Sequence, residues 1–127
     1  MATVRPNGEP HLAVVSPGFV EDLLVVATWE SSVKGRNLRA GSGVMFHWAV
    51  NEQTGNDMLL LRGAPHITDD PKRRRRLWEM KPLPYDLTDW YQGPDDPQLL
   101  WVEVTPTHAS LQRNLGEQGS SLWRPRP

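Results

Sequence analysis

The segment LLVVAT, from Leu23 to Thr28, constrains the fold more than any other stretch of the chain. A strand exposes alternate residues to opposite faces, and here both faces are almost wholly apolar, so the strand must be covered on both sides. The rest of the chain has to supply that cover. Ala2–Arg5 (ATVR) and His11–Ser16 (HLAVVS) flank RPNGE, in which Asn7-Gly8 is a strong hairpin signal because both residues tolerate positive φ. After LLVVAT, Ser31 or Ser32 can cap a short helix that runs to Ala40, where Gly41 and Gly43 supply the stop. Val44–Val50 (VMFHWAV) reads as a further strand, NEQTGND as a loop, and Met58–Ile67 as a strand kinked near Gly63 and Pro65.

The second helix is announced clearly by TDDPKRRRRLWEM. Asp69 or Asp70 can cap it, Pro71 suits the first helical position, and Leu77, Trp78 and Met80 form an apolar edge. Lys81 to Pro97 is rich in Pro, Asp and Gly and reads as a long ordered loop or short helix. Gln98–Pro106 is a sixth strand, and HASLQRNL adds a possible seventh. The expected class is mainly β, a six- to seven-stranded split barrel with two or three short helices, in a single domain over residues 1–127.

Charge and composition narrow the function. Lys plus Arg is 14 and Asp plus Glu is 15, so the chain lacks the strongly basic balance that captures nucleic acid or membrane surfaces. The absence of cysteine removes disulfides, thiolate catalysis and Cys-ligated zinc together, and suits a reducing cytoplasm. No apolar run approaches the roughly 18 residues of a membrane span, and the first residues lack a signal-peptide core. His11, His47, His66 and His108 show neither i, i+4 pairing nor carboxylate spacing, so no metal site is expected. The four arginines Arg73–Arg76 spread about 100° apart around a helix and form no single stripe; they read as a solvated face paired with Asp69, Asp70 and Glu79.

The chemistry concentrates where LLVVAT hands over to SSVKGRNLR. A helix N-terminus carries unpaired N–H groups and partial positive charge, Ser31 and Ser32 add hydroxyls, and Lys34 adds a full charge. Arg36 and Arg39 lie on the same short helix. These residues make a plausible phosphate cradle, although a serine-capped helix bearing a solvated lysine is commoner. Trp29 and Trp48 flank this region, and each suits either ring stacking or a place in the core or an interface.

In order, the hairpin, LLVVAT, SSVKGRNLR, GVMFHW, LLLRGAPHI, DDPKRRRRLWEM and LLWVEVTPTHASL resemble the FMN-binding split-barrel family related to pyridoxamine 5′-phosphate oxidase. That family includes general stress proteins and flavin- or deazaflavin-dependent oxidoreductases. The most specific match is Thr28 followed by Ser32, Lys34, Asn37 and Leu38. The resemblance implies that Thr28, Ser32 and Lys34 hold the flavin phosphate and that Ala13, Val14, Val15 and Ser16 line the ring through their backbone. Val33 stands where the family has an arginine, a loss that Arg36 or Arg39 would have to make good. Gly63 stands where true oxidases carry a ring-pairing glutamine, and their substrate-binding C-terminal segment is not recognisable in NLGEQGSSLWRPRP. Relatives usually have a helix before the first strand, whereas Met1 here sits directly on it. The segment holding Trp78, Trp90 and Tyr91 would roof the site.

The expected function is therefore that of a cytoplasmic, homodimeric, FMN-binding oxidoreductase, with the cofactor at the subunit interface and a small-molecule substrate. No side chain stands out as a catalytic acid or base. Two alternatives stand beside it. One is a deazaflavin-dependent reductase of the same fold, using Arg36, Arg39 and Arg62 for its acidic tail. The other is a stress protein that binds flavin or haem without turnover.

Overall fold

The structure, a computed structural model, describes residues 1–48 and 50–126. Among the described residues eight strands and two helices follow in order. The first half holds β1 (Ala2–Val4), β2 (Pro10–Leu12), β3 (Gly18–Val20), β4 (Leu23–Trp29), α1 (Val33–Arg39) and β5 (Val44–His47). The second holds β6 (Met58–Ile67), α2 (Pro71–Met80), β7 (Leu99–Gln112) and β8 (Ser120–Trp123). All strands pair antiparallel in the order β2-β1-β5-β6-β7-β4-β3, and β8 adds to β7.

The pairing of β4 with β7 organises two cores. Leu24, Val26 and Thr28 lie opposite Val104, Val102 and Leu100 on one face, while Val25, Ala27 and Trp29 lie opposite Glu103, Trp101 and Leu99 on the other. The first face packs against Met1, Leu38, Val44 and Phe46. Met1 and Phe46 belong to the opposite half of the sheet from β4, so the sheet curls around this cluster into a mainly β, split barrel. The second face is covered by Leu77 of α2 and by Leu83, Leu87 and Tyr91 of the segment that follows. LLVVAT is thus buried on both sides, as its composition requires.

Two segments divide differently from their sequence signals, one adding a strand and one merging two, and β8 brings the number among the described residues to eight. HLAVVS stays on the ladder only to Leu12, with Ala13 N–H still donating to Met1 O at 3.0 Å. Pro17 has no N–H to offer a ladder, and Gly18–Val20 pair instead with Val25, Leu24 and Leu23. Further on, Pro106 does not end a strand. It lies opposite Gly63 at a register shift between Arg62 and Gly63, a bulge that tolerates proline, so β7 runs unbroken through HASLQ. The strand expected over Val44–Val50 is formed as far as His47, and residue 49 lies outside the described residues.

Both helices carry the expected caps. The Asp70 carboxylate accepts from Arg73 N–H at 2.9 Å with Pro71 at the first position, and Ser32 caps α1. The partners of the arginine run differ from those expected. Arg73 pairs with Glu103 at 2.6 Å and Arg75 with Asp95 at 2.8 Å, and Arg76 lies 3.8 Å from Glu21. Arg74 donates to the carbonyls of Leu99, Asp96 and Pro94. Because α2 lies across β7 and the loop before it, three of these arginines bind across that contact rather than along their own helix. The four histidines all fall on strands, His11 half-buried and the other three exposed.

Glu103 is 6% exposed and also accepts from the Thr68 hydroxyl at 2.7 Å. Its hydrogen bonds from Arg73 hold its carboxyl below the usual carboxylate range. Because the folded-state value is depressed, this contribution is complete above the ordinary glutamate value of about 4.3 and disappears as pH falls through the lower folded value. Glu103→Gln should therefore cost about 1–3 kcal/mol at neutral pH. Urea unfolding at neutral pH and near pH 3 checks this, with the gap between wild type and variant expected to shrink in acid; an undiminished gap would contradict the assignment.

Candidate functional site

β3 accompanies β4 only as far as Val25, whereas β4 continues to Trp29. From Val26 onward the outer edge of β4 has no strand beside it. Val14–Ser16, having left the first hairpin, come close to this stretch. Together they border a cleft of ≈ 380 Å³, whose walls are Val14, Val15 and Ser16 on one side and Ala27, Thr28 and Trp29 on the other. Lys34 of α1 reaches it, and Tyr85, Trp90 and Tyr91 close it from the segment after α2. That volume falls within the roughly 300–1,000 Å³ of small-molecule sites.

The β4–α1 handover is held tightly. Ser32 Oγ accepts from Gly35 N–H at 3.0 Å, donates to Trp29 O at 2.7 Å, and lies 3.3 Å from Thr28 Oγ1. Gly35 sits so close to the end of β4 that a Cβ there would fall 2.5 Å from Trp29 O. The serine hydroxyl is therefore spent largely on shaping the chain, and the tight turn sets Lys34 at the mouth of the cleft. Lys34 is half-buried and has no ion-pair partner among the described residues.

Of the residues singled out in the sequence, Val14, Val15, Ser16, Thr28 and Lys34 line this one cleft, and Ser32 adjoins it through Thr28. The others lie elsewhere. Ala13 lines a neighbouring groove with Met1, Leu12, Phe46, His47 and Trp48. Val33 and Arg36 border a depression shared with Arg5 and Asn7, and Arg36 donates to Ser31 O at 2.7 Å. Arg39 is clamped between Glu30 and Asp69, each at 2.7 Å. The same hydrogen bonds hold the Asp69 carboxyl below its usual range. Neither arginine lines the cleft. Gly63 is buried in the β6 bulge, where a Cβ would lie 2.2 Å from Val104 Cγ1.

The aromatic wall was only partly foreseeable. Trp29 packs on Tyr91, ring centroids 4.9 Å apart and tilted by 38°. Trp48 packs on Phe46 instead, and Trp78 joins the outer core. Tyr85 carried no signal beyond its place in a proline-rich loop. Burial raises the pKa of both Tyr85 and Tyr91, so their hydroxyls remain protonated donors. Gly18 links the cleft's two walls: a Cβ there would lie 2.0 Å from Pro82 O. Gly18→Ala should thus push the Val14–Pro17 segment away from the roof and destabilise the fold by about 1–3 kcal/mol. Chemical denaturation measures the cost, and a variant as stable as wild type would show that the approach relaxes freely.

A family model described as Pyridoxamine 5′-phosphate oxidase matches residues 1–113. No curated protein matches the chain. Among solved structures, the General Stress Protein 26 of Bacillus anthracis str. Sterne is similar at 20% identity and a TM-score of 0.69, over 98% of this chain and 85% of that one. A Clostridium acetobutylicum protein related to general stress protein 26 gives 16% and 0.74, covering 97% and 82%. A pyridoxamine 5′-phosphate oxidase-related, FMN binding protein of Nostoc punctiforme PCC 73102 gives 17% and 0.70, covering 99% and 86%. At these identities the likeness is one of fold.

Proposed function

This chain belongs to the pyridoxamine 5′-phosphate oxidase family, and on that premise we propose that it is a homodimeric FMN-dependent oxidoreductase whose cofactor lies in the β4–α1 cleft. The observation that carries the reading is Lys34, a cation without an internal partner, at the mouth of a cleft that also holds the Thr28 and Ser16 side chains. A phosphate monoester fits that donor set: Lys34 supplies charge, and the hydroxyls supply hydrogen bonds. The strand-free edge of β4 and the coil Val14–Ser16 offer backbone donors and acceptors to the polar edge of a flat heterocycle. When bound, FMN supplies hydride transfer. The chain's own part is to bind, orient and exclude water, since no carboxylate or histidine lines the cleft.

A second copy of the chain has a surface to occupy. Leu12 is 78% and Val14 96% exposed, and the groove of ≈ 700 Å³ beside them is lined by Val15, Pro17, Phe46 and Trp48. Val14 and Val15 line both groove and cleft, so a partner covering the groove would also border the cofactor. FMN is favoured over a deazaflavin with a long acidic tail because Arg36 and Arg39 are engaged elsewhere. Vitamin B6 oxidation is disfavoured by Gly63, which offers no side chain to a ring edge.

Lys34→Ala should weaken FMN binding by about 1.5–3 kcal/mol, roughly ten- to 150-fold. Titration of flavin fluorescence with the purified variant measures this. Wild-type affinity in the variant would remove Lys34 from the site.

A further inference from the structure

We propose that the outer edge of β8 is a docking site for an extended, acidic segment of a partner protein, which joins the sheet there as an added strand. Among the described residues β8 pairs with β7 alone. One row of its backbone N–H and C=O groups therefore faces solvent, and all four of its residues are exposed. An open edge of this kind is a template for pairing with another chain.

The edge is already formed. Its register runs from Gln112 opposite Ser120 to Ala109 opposite Trp123. The turn behind it is closed by Gly119 O, which accepts from Arg113 N–H at 3.0 Å, and by Arg113 O, which accepts from Gln118 N–H at 3.2 Å. Leu122 is 77% and Trp123 49% exposed. As neighbours in a strand they project to opposite faces of the sheet, so apolar side chains of an added strand find a contact on either face.

Charge selects the partner. Arg113 stands before the turn and Arg124 just after β8, and neither has an ion-pair partner among the described residues. The register sets Met45 and His108 on either side of Arg62, and Leu60 and Leu122 on either side of Ser110. On that face Arg62, His108 and Arg124 share a groove of ≈ 250 Å³ with Leu60 and Leu122, and no carboxylate lines it. None of these residues lines the β4–α1 cleft. Leu122 and Arg124 form the side of the groove nearest the free edge, so an acidic side chain of an added strand enters there. The guanidinium fork suits a carboxylate, and the same cations turn away a basic strand. Backbone pairing thus supplies the hold and the groove the selectivity. A second copy does not supply the strand, because its own open edges, β2 (PHL), β3 (GFV) and β8 (SSLW), contain no acidic residue.

The test measures fluorescence anisotropy of two labelled peptides against the full chain, one alternating valine with glutamate over about ten residues and one alternating valine with lysine. Amide hydrogen exchange is followed with and without peptide. The acidic peptide should bind, should be held at least about tenfold more tightly than the basic one, and should slow exchange within Ser120–Trp123. Arg124→Glu and Arg62→Glu should each weaken it about three- to tenfold. Both side chains are exposed, and thermal melting checks that each variant folds. No binding of the acidic peptide overturns the proposal, as do equal affinity for the two peptides, full affinity in both variants, or protection confined to β2 or β3. Self-association of the wild type that protects β8 without any peptide also overturns it, since a second copy would then cover the edge.

Discussion

The hydrogen-bonded pair of β4 and β7 is buried on both faces over most of its length, and the architecture follows from hiding both. One face is satisfied by curling the sheet, which brings Met1, Val44 and Phe46 onto Leu24, Val26 and Val102. The other cannot be satisfied by the sheet at all, and α2 with the segment to Tyr91 must be laid over it. Each fully buried Leu or Val is worth about 1.5–3 kcal/mol, so leaving either face bare would cost more than a small domain's net stability of roughly 5–15 kcal/mol. The cleft is a consequence of this arrangement. β4 has to be long to pair with β7 through Trp29, but its outer neighbour β3 is three residues long. The unmatched end of β4 is where roof, helix α1 and the Val14–Ser16 coil converge.

Several of the chain's cations are committed to holding the fold. Arg73 neutralises a buried carboxylate, Arg74 gathers three carbonyls, and Arg39 bridges two acidic side chains. Each is committed by geometry that a ligand would have to break. Lys34 lines the cleft and has no ion-pair partner among the described residues. This division decides what Val33 means. A neighbour on the same helix could in principle stand in for a cation at Val33, but neither Arg36 nor Arg39 lines the cleft. On the proposed reading, the anionic end of a ligand meets Lys34 and the hydroxyls of Thr28 and Ser16.

Much of this was legible because it is local. The Asn7-Gly8 hairpin, the Asp70-Pro71 start of α2 and the Ser32 cap all depend on residues within four positions of one another. The grouping of Thr28, Ser32 and Lys34 at one handover is local in the same sense. What escaped was set by distant partners. Pro106 looks like a terminator until Gly63 across the sheet provides a bulge for it. Gly18–Val20, which no strand was expected to include, form one only because β4 takes them as an edge. β8 is exposed along its whole length, so no alternation marks it. The partners of the arginine run were misassigned for the same reason, since Glu103 and Asp95 are 20 or more positions away. Tyr85 and Trp90 line the cleft only through the path of the loop that carries them.

That path is fixed at Gly18. The backbone of Pro82 approaches so closely that no side chain can stand between it and β3. One contact therefore sets both the exit of the Val14–Pro17 segment and the entry of the roof, and the width of the cleft depends on it. The roof is tied again at Asp86 and Asp96, and from inside by Tyr91 against Trp29. A cleft braced at this many points has little ordering left to do when a ligand arrives, and ordering is one of the chief costs of binding. Rigid aromatic walls also discriminate by shape, because they cannot move aside for a ligand that is not flat. The glycine in the edge strand, a residue with no functional group, thus sets the geometry of the cleft that the aromatic and hydroxyl side chains line.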